Sequence, residues 1–203
     1  MTQERSVGEE LITPLLKKAI PVLNYANILT LVRLLLVPVF AWVVFVDPMT
    51  TFRWWIAVGI FSTAVFTDFL DGVIARKFNL ITDFGKIADP IADKALIGTA
   101  LVALSAQSII PWWVTGVIIL REVFVTLLRI RVLRHGVIPA SRGGKVKTFS
   151  QSIAIFFFLM PVEGLINTLA NPLMYLAVAL TIATGIDYVV QARILVKAAR
   201  TNL

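Results

Sequence analysis

Long apolar stretches separated by short polar links constrain this chain more than any other feature of its sequence. Six of them follow one another from residue 28 onward, and each is close to the roughly 20 residues that an α-helix needs to cross a bilayer. They cover residues 28–46, 54–74, 91–108, 111–133, 150–169 and 172–195. Charged residues make up only 15% of the chain, against about 25% in soluble domains. The sequence therefore predicts an all-α integral membrane protein with six transmembrane helices.

The first 26 residues differ from the rest because they are polar to amphipathic. Leu11, Leu15, Leu16 and Ile20 fall at helical spacing, with charged residues elsewhere around the helix. This pattern is typical of an amphipathic helix in the membrane interface, with a poorly ordered tail as the alternative. The predicted organisation is an N-terminal interfacial segment, 1–26, followed by a six-helix transmembrane domain, 27–203.

Basic residues are concentrated at one end of the predicted helices. The three links at the other end contain a single basic residue, Arg53. Cytoplasmic loops carry the excess of Lys and Arg, so both termini are expected in the cytoplasm. Four tryptophans fall at the Arg53 end, as an aromatic belt would: Trp54, Trp55, Trp112 and Trp113. This pattern explains the net charge of +7 better than nucleic-acid binding does. Without organelle-targeting features, a bacterial cytoplasmic membrane is the expected location.

The ligand types available to a metal ion are limited by composition. The chain has no cysteine and one histidine, His135. Thiolate sites and multi-histidine sites are therefore excluded. Any metal must be held by oxygen ligands, which favours a hard cation such as Mg²⁺ or Mn²⁺.

Four aspartates form the most informative pattern in the chain. Asp68 and Asp71 are three residues apart, and Asp89 and Asp93 are four apart, so each pair shares a helix face. The first pair ends the second apolar stretch and the second pair begins the third, which places all four at one membrane depth. Because carboxylates there repel one another and are costly to bury, the pattern favours bound divalent cations. Such cations can stabilise a transferring phosphate.

An alternative is that these aspartates are interfacial residues paired with nearby basic side chains, such as Arg76. Four acids at this spacing, interleaved with glycine and alanine, make that alternative weak. The small residues would allow a bulky group such as a nucleotide to approach the backbone. Arg76 would then be an electrostatic partner for a pyrophosphate.

The segment from Asp68 to Asp93 resembles the signature of the CDP-alcohol phosphotransferase family, Asp-x₂-Asp-Gly-x₂-Ala-Arg-x₈-Gly-x₃-Asp-x₃-Asp. The resemblance implies that Asp68, Asp71 and Asp89 ligate one or two divalent ions. Asp93 would complete this metal-binding set and act as the general base on the acceptor hydroxyl. The resemblance also implies a cytoplasm-facing catalytic cavity and a homodimer. The residues implied for CDP-diacylglycerol binding are Asn27, Gly72, Ala75, Arg76, Thr82 and Gly85.

A basic cluster follows the signature and suits an acceptor that carries its own phosphate. The Arg121-Glu122 pair and the stretch 144–148, Gly-Lys-Val-Lys-Thr, resemble those of a bacterial subfamily, the phosphatidylglycerophosphate synthases. The implied acceptor is sn-glycerol 3-phosphate. The residues expected at its phosphate are Arg121, Arg142, Lys145, Lys147 and Arg129. The alternative for the loop is a positively charged anchor on anionic lipid.

The first apolar stretch adds a weaker signal. Asn27, Thr30 and Arg33 also resemble that subfamily. Asn27 could instead cap the first helix, and Arg33 could extend its side chain to the interface.

Other functions are also compatible with these residues. Within the family, the acceptor could be phosphatidylglycerol, as in a cardiolipin synthase, or inositol phosphate, as in a phosphatidylinositol phosphate synthase. A metal-ion transporter is the alternative outside the family. Acids clustered at one depth, and the lack of an inverted repeat, favour an enzyme over a transporter.

Overall fold

Six α-helices account for most of the described chain. The computed structural model describes residues 25–46, 49–77, 83–132, 142–162 and 164–201. The helices are α1 (Tyr25–Phe45), α2 (Thr51–Lys77), α3 (Asp83–Ala106), α4 (Trp112–Val132), α5 (Arg142–Leu159) and α6 (Leu165–Thr201). These ranges contain no strand, which confirms an all-helical architecture for them. The predicted interfacial helix lies outside the described residues.

Three helical segments of the described chain are long and apolar enough to cross a membrane: Asn27–Phe45, Thr51–Val73 and Thr168–Lys197. Large apolar side chains also lie on the outer surface, with exposed fractions of 69% for Leu35 and 71% for Leu120. Such a surface is unusual for a soluble protein and is compatible with a membrane protein. A topology of six spans stays a prediction.

Two helix boundaries differ from those expected. The last helix begins at Leu165 and contains Pro172, which was expected to open it. Similarly, α3 begins at Asp83 and contains Pro90, so Asp89 and Asp93 lie within the helix rather than at its start. The predicted boundaries were those of the apolar stretches, which mark only the part of a helix that lies in the membrane. The backbone hydrogen bonds of the helix extend beyond that part, so the helix itself begins earlier. Packed helices also tolerate proline.

The main core lies where the helices meet. Two pairs of helices that are adjacent in sequence pack along each other, α1 with α2 and α5 with α6. Helix α1 also contacts α3. Phe40 of α1 and Phe61 of α2 are buried, with ring centroids 6.0 Å apart. Ala57, Ala64 and Ala100 are fully buried. Small side chains at such positions allow helix backbones to approach closely.

A buried hydrogen-bonded pair fixes α3 against α4. Ser105 Oγ and Thr115 Oγ1 are 2.7 Å apart, and Thr115 Oγ1 donates to the carbonyl oxygen of Leu101 at 3.1 Å. Beyond α3, Ser108 adopts a left-handed conformation, with φ of 59°. The chain reverses there, so α3 and α4 run antiparallel. The first turns of α3 and the last turns of α4 therefore lie at the same end of the bundle.

Replacing Thr115 with valine should destabilise the protein by about 1 kcal/mol, because the Leu101 carbonyl and Ser105 lose a buried partner. The measurement is the free energy of unfolding in detergent micelles. Thr63→Val is the matched control, since Thr63 is exposed and bonds only within its own helix in the described structure, to Gly59 at 2.8 Å. Equal stability of the two variants would contradict this role for Thr115.

Candidate active site

A buried arginine of α1 holds the first aspartate pair. Arg33 has an exposed fraction of 0%. Its Nη1 lies 2.5 Å from Asp68 Oδ1, and its Nη2 donates to Asp71 Oδ2. Asp68 and Asp71 face α1 together because they are three residues apart on α2. The rigid fork of a guanidinium can serve two carboxylates at once.

The possibility that Arg33 extends to the interface is wrong. Its side chain turns inward and is fully buried against the carboxylates of α2. A cation within an apolar helix is costly unless it is paired. The burial of Arg33 could have been predicted from the sequence. A single arginine inside the first apolar stretch requires an acidic partner, and that partner must come from another helix.

Thr30 connects the same face of α1 to α3. Thr30 Oγ1 donates to Asp89 Oδ1 at 2.6 Å. Asn27, Thr30 and Arg33 are spaced three residues apart, so they form one stripe, and all three are buried. This polar stripe of α1, Asn27–Thr30–Arg33, contacts the aspartate-bearing ends of both α2 and α3.

The four signature aspartates lie together at this end of the bundle. Asp68 is within electrostatic range of Asp71, Asp89 and Asp93. Asp71 is buried, whereas the Asp68 side chain is 46% exposed. Gly85, Ala88 and Ala92, which precede or separate the two signature aspartates of α3, are buried. Helical spacing thus brings two separate carboxylate pairs to one site.

The donor set fits a hard divalent cation, because carboxylate oxygens are its preferred ligands. In the described part of the chain, no three acidic side chains lie close enough together to bind one ion in their present conformations. Arg33 and Thr30 instead hold Asp68, Asp71 and Asp89. Ion binding would therefore require carboxylates to exchange these partners for the metal.

A second charged cluster is centred on Glu122 of α4. Lys147 Nζ of α5 and Arg121 Nη1 both donate to Glu122 Oε1, the latter at 2.9 Å. Lys94 Nζ of α3 lies 3.8 Å from Glu122 Oε2. This Glu122 cluster, Lys94–Arg121–Glu122–Lys147, contains three cations for one carboxylate. It links α3, α4 and α5 and leaves an excess of positive charge.

Two of the five basic residues predicted at the acceptor phosphate contact α6. Arg121 Nε donates to the carbonyl oxygen of Thr181 at 3.1 Å, and its Nη2 donates to Thr184 Oγ1 at 2.8 Å. Arg129 Nη2 donates to Tyr188 Oη at 2.5 Å and lies 5.6 Å from the Tyr188 ring centroid. In this structure both arginines join α4 to α6.

Five predicted site residues have side chains that lie outside the described part of the structure. Arg76 and Ala75 lie on the last turns of α2, and Arg142 and Lys145 on the first turn of α5. The side chains of these four are outside the described part, and so is the whole of Thr82. Their roles stay predictions.

A cavity of about 150 Å³ opens beside Asp93 between α3, α4 and α5. Its polar lining consists of Asp93, Lys94, Glu122, Lys147, Thr148 and Gln151. Deeper along the helices it is lined by apolar residues such as Leu101 and Ile118. Sequence analysis did not single out Gln151, although an amide within an apolar stretch is a signal of the same kind as Arg33. Two carboxylates, two lysines and a small cavity therefore adjoin one another.

Replacing Arg33 with methionine should lower the free energy of unfolding by about 3 kcal/mol or more, since Asp68 and Asp71 lose their buried partner. Thermal unfolding in detergent measures the effect. Arg53→Met is the control, because Arg53 lies at the first turn of α2, far from the aspartates, and donates to the Val46 carbonyl oxygen. If both variants unfold alike, Arg33 does not hold the site together.

Comparison with known proteins agrees with the geometry. Residues 23–183 match the family model for CDP-alcohol phosphatidyltransferase. A probable phosphatidylglycerophosphate synthase of Mycobacterium tuberculosis (strain H37Rv) is 49% identical over 174 residues, 83% of this chain and 81% of that protein. The CDP-diacylglycerol–glycerol-3-phosphate 3-phosphatidyltransferase of Bacillus subtilis is 36% identical over 182 residues, 81% of this chain and 93% of its own length. This chain belongs to the CDP-alcohol phosphatidyltransferase family.

Proposed function

We propose that the protein transfers the phosphatidyl group of CDP-diacylglycerol to sn-glycerol 3-phosphate, producing phosphatidylglycerophosphate and CMP. The observation that carries the proposal is the position of Asp93. Its carboxylate lies within electrostatic range of Asp68 and lines a small cavity together with Lys94 and Lys147. The name of the Bacillus subtilis relative contains the same two substrates, and that of the Mycobacterium tuberculosis relative contains the same product.

The donor binds on the aspartate side in this proposal. Family members use divalent metal ions, and Mg²⁺ or Mn²⁺ suits the four carboxylates of Asp68, Asp71, Asp89 and Asp93. When bound, the ion neutralises charge on the pyrophosphate. Small side chains on α2 and α3 leave room for the nucleotide near the backbone. The residues proposed to contact CDP-diacylglycerol are Asn27, Gly72, Ala75, Arg76, Thr82 and Gly85.

Asp93 acts as the general base. It accepts the proton of an acceptor hydroxyl as that oxygen forms a bond to the phosphorus next to diacylglycerol. The bond from this phosphorus to the bridging oxygen breaks, and CMP leaves with that oxygen. Because phosphoryl transfer requires little covalent chemistry from the protein, the residues act mainly by positioning the substrates and stabilising charge.

The acceptor phosphate binds at the positive side of the cavity. Lys147 lines the cavity, and Arg142 and Lys145 precede it on the first turn of α5, so we assign these three to direct contact. Arg121 and Arg129 contribute from α4 by holding α6 through Thr181, Thr184 and Tyr188. The two arginines would have to leave these partners to reach a phosphate themselves.

We further propose that the enzyme lies in a bacterial cytoplasmic membrane and forms a homodimer with six spans per chain. Both termini and the site face the cytoplasm, and the N-terminal segment lies on the membrane. The positive-inside pattern supports this orientation. Asp68 lies 17 residues beyond Thr51, or roughly 25 Å along α2, so the aspartates and the tryptophans near residue 54 occupy opposite ends of the bundle.

CMP release from CDP-diacylglycerol and Mg²⁺ by the purified protein tests the proposal. The acceptors are glycerol 3-phosphate, inositol phosphate, phosphatidylglycerol and serine in separate reactions, and only glycerol 3-phosphate should support turnover. In the same assay, Asp93→Asn should lower kcat by about 10²–10⁴-fold, the usual contribution of a general base. Asp187→Asn is the control, since Asp187 is exposed on α6 and accepts a hydrogen bond from Gln191 at 2.8 Å.

The outcomes separate the parts of the proposal. Turnover with another acceptor would disprove the assignment of glycerol 3-phosphate and leave the donor unchanged. Full activity of Asp93→Asn would remove the base assignment. No CMP release with any acceptor would overturn the proposed function.

A further inference from the structure

A buried amide borders the cavity beside Asp93. Gln151 of α5 has an exposed fraction of 2% and lines this cavity. Among the described residues, its Nε2 has no hydrogen-bond partner. Buried polar groups in folded proteins are nearly always paired, and each exception calls for an explanation. A ligand in the cavity would supply the missing acceptor atom.

The size of the cavity limits what that ligand can be. A volume of about 150 Å³ is below the range of roughly 300–1,000 Å³ typical of drug-sized ligands. A three-carbon polyol phosphate is of suitable size for this space.

The spacing on α5 provides two polar contacts for one small molecule. Lys147 and Gln151 are four residues apart and both line the cavity. Side chains at this spacing lie one above the other, with Cβ atoms about 5–6 Å apart. A phosphate near Lys147 would therefore place the adjacent carbon atoms near Gln151. Asp93, which also lines the cavity, faces the same molecule from α3.

We propose that Gln151 donates a hydrogen bond from Nε2 to the middle, non-reacting hydroxyl of sn-glycerol 3-phosphate, and so helps to select a glycerol-based acceptor. This inference rests on the proposed function, in which Asp93 serves the reacting hydroxyl. Gln151 is a specificity-determining residue, because the hydroxyl that it binds takes no part in the transfer. The Glu122 cluster positions Lys147 for the phosphate of the same acceptor.

The test compares two acceptors in the CMP-release assay. The second is 3-hydroxypropyl phosphate, which keeps the phosphate and the reacting hydroxyl but lacks the middle hydroxyl. Gln151→Met removes the donor and preserves the length of the side chain. It should raise the KM for glycerol 3-phosphate about three- to tenfold, as expected for one lost hydrogen bond. With 3-hydroxypropyl phosphate, wild type and Gln151→Met should have the same KM.

Ser150→Ala is the matched control, because Ser150 is the buried neighbour of Gln151 on α5 but does not line the cavity. Its KM for both acceptors should equal that of wild type. An unchanged KM of Gln151→Met for glycerol 3-phosphate, or an equal rise with both acceptors, would overturn the inference.

Two measurements on wild type test the inference independently of whether the variant folds. Wild type itself must bind 3-hydroxypropyl phosphate about three- to tenfold more weakly than glycerol 3-phosphate, so equal KM values would overturn the inference even if the variant fails to fold. If wild type shows no turnover with glycerol 3-phosphate, the proposed function fails. Turnover without the Gln151 effect disproves the present inference alone.

Discussion

The architecture of the site depends on one buried cation. Arg33, the only charged residue of α1, pairs with Asp68 and Asp71 of α2. These ion pairs neutralise buried charges, each of which would be too costly to bury without a partner. One turn earlier, Thr30 bonds Asp89 of α3. A single face of α1 thus sets the positions of carboxylates on two other helices.

The Glu122 cluster performs a similar role beside the cavity. Glu122 binds lysines from α3 and α5, while its neighbour Arg121 joins α4 to α6. Two lysines of this cluster, Lys94 and Lys147, line the cavity together with Glu122 and Asp93. The two polar centres meet at Asp93, which is near Asp68 and also lines the cavity. A donor and an anionic acceptor could therefore meet at one carboxylate.

Much of this arrangement could be predicted from the sequence, because periodicity determines which side chains share a helix face. The spacing of the four aspartates predicted two carboxylate pairs at one end of the bundle, and the structure brings them together. Long-range partners could not be predicted, since spacing within one helix carries no information about the facing helix. For that reason the sequence does not decide whether Arg33 is buried or extends to the interface, and it does not reveal the role of Gln151. The contacts of Arg121 and Arg129 with α6 are likewise absent from the sequence pattern.

Anomalous diffraction from crystals grown with Mn²⁺ tests most directly whether α2 and α3 form one ion-binding site. We expect an anomalous peak that contacts at least one carboxylate from each helix, drawn from Asp68 or Asp71 and from Asp89 or Asp93. We also expect the peak to be lost in Asp89→Asn crystals. A Mn²⁺ ion bound by one helix alone, or bound away from these aspartates with the Arg33 pairs intact, would contradict the account.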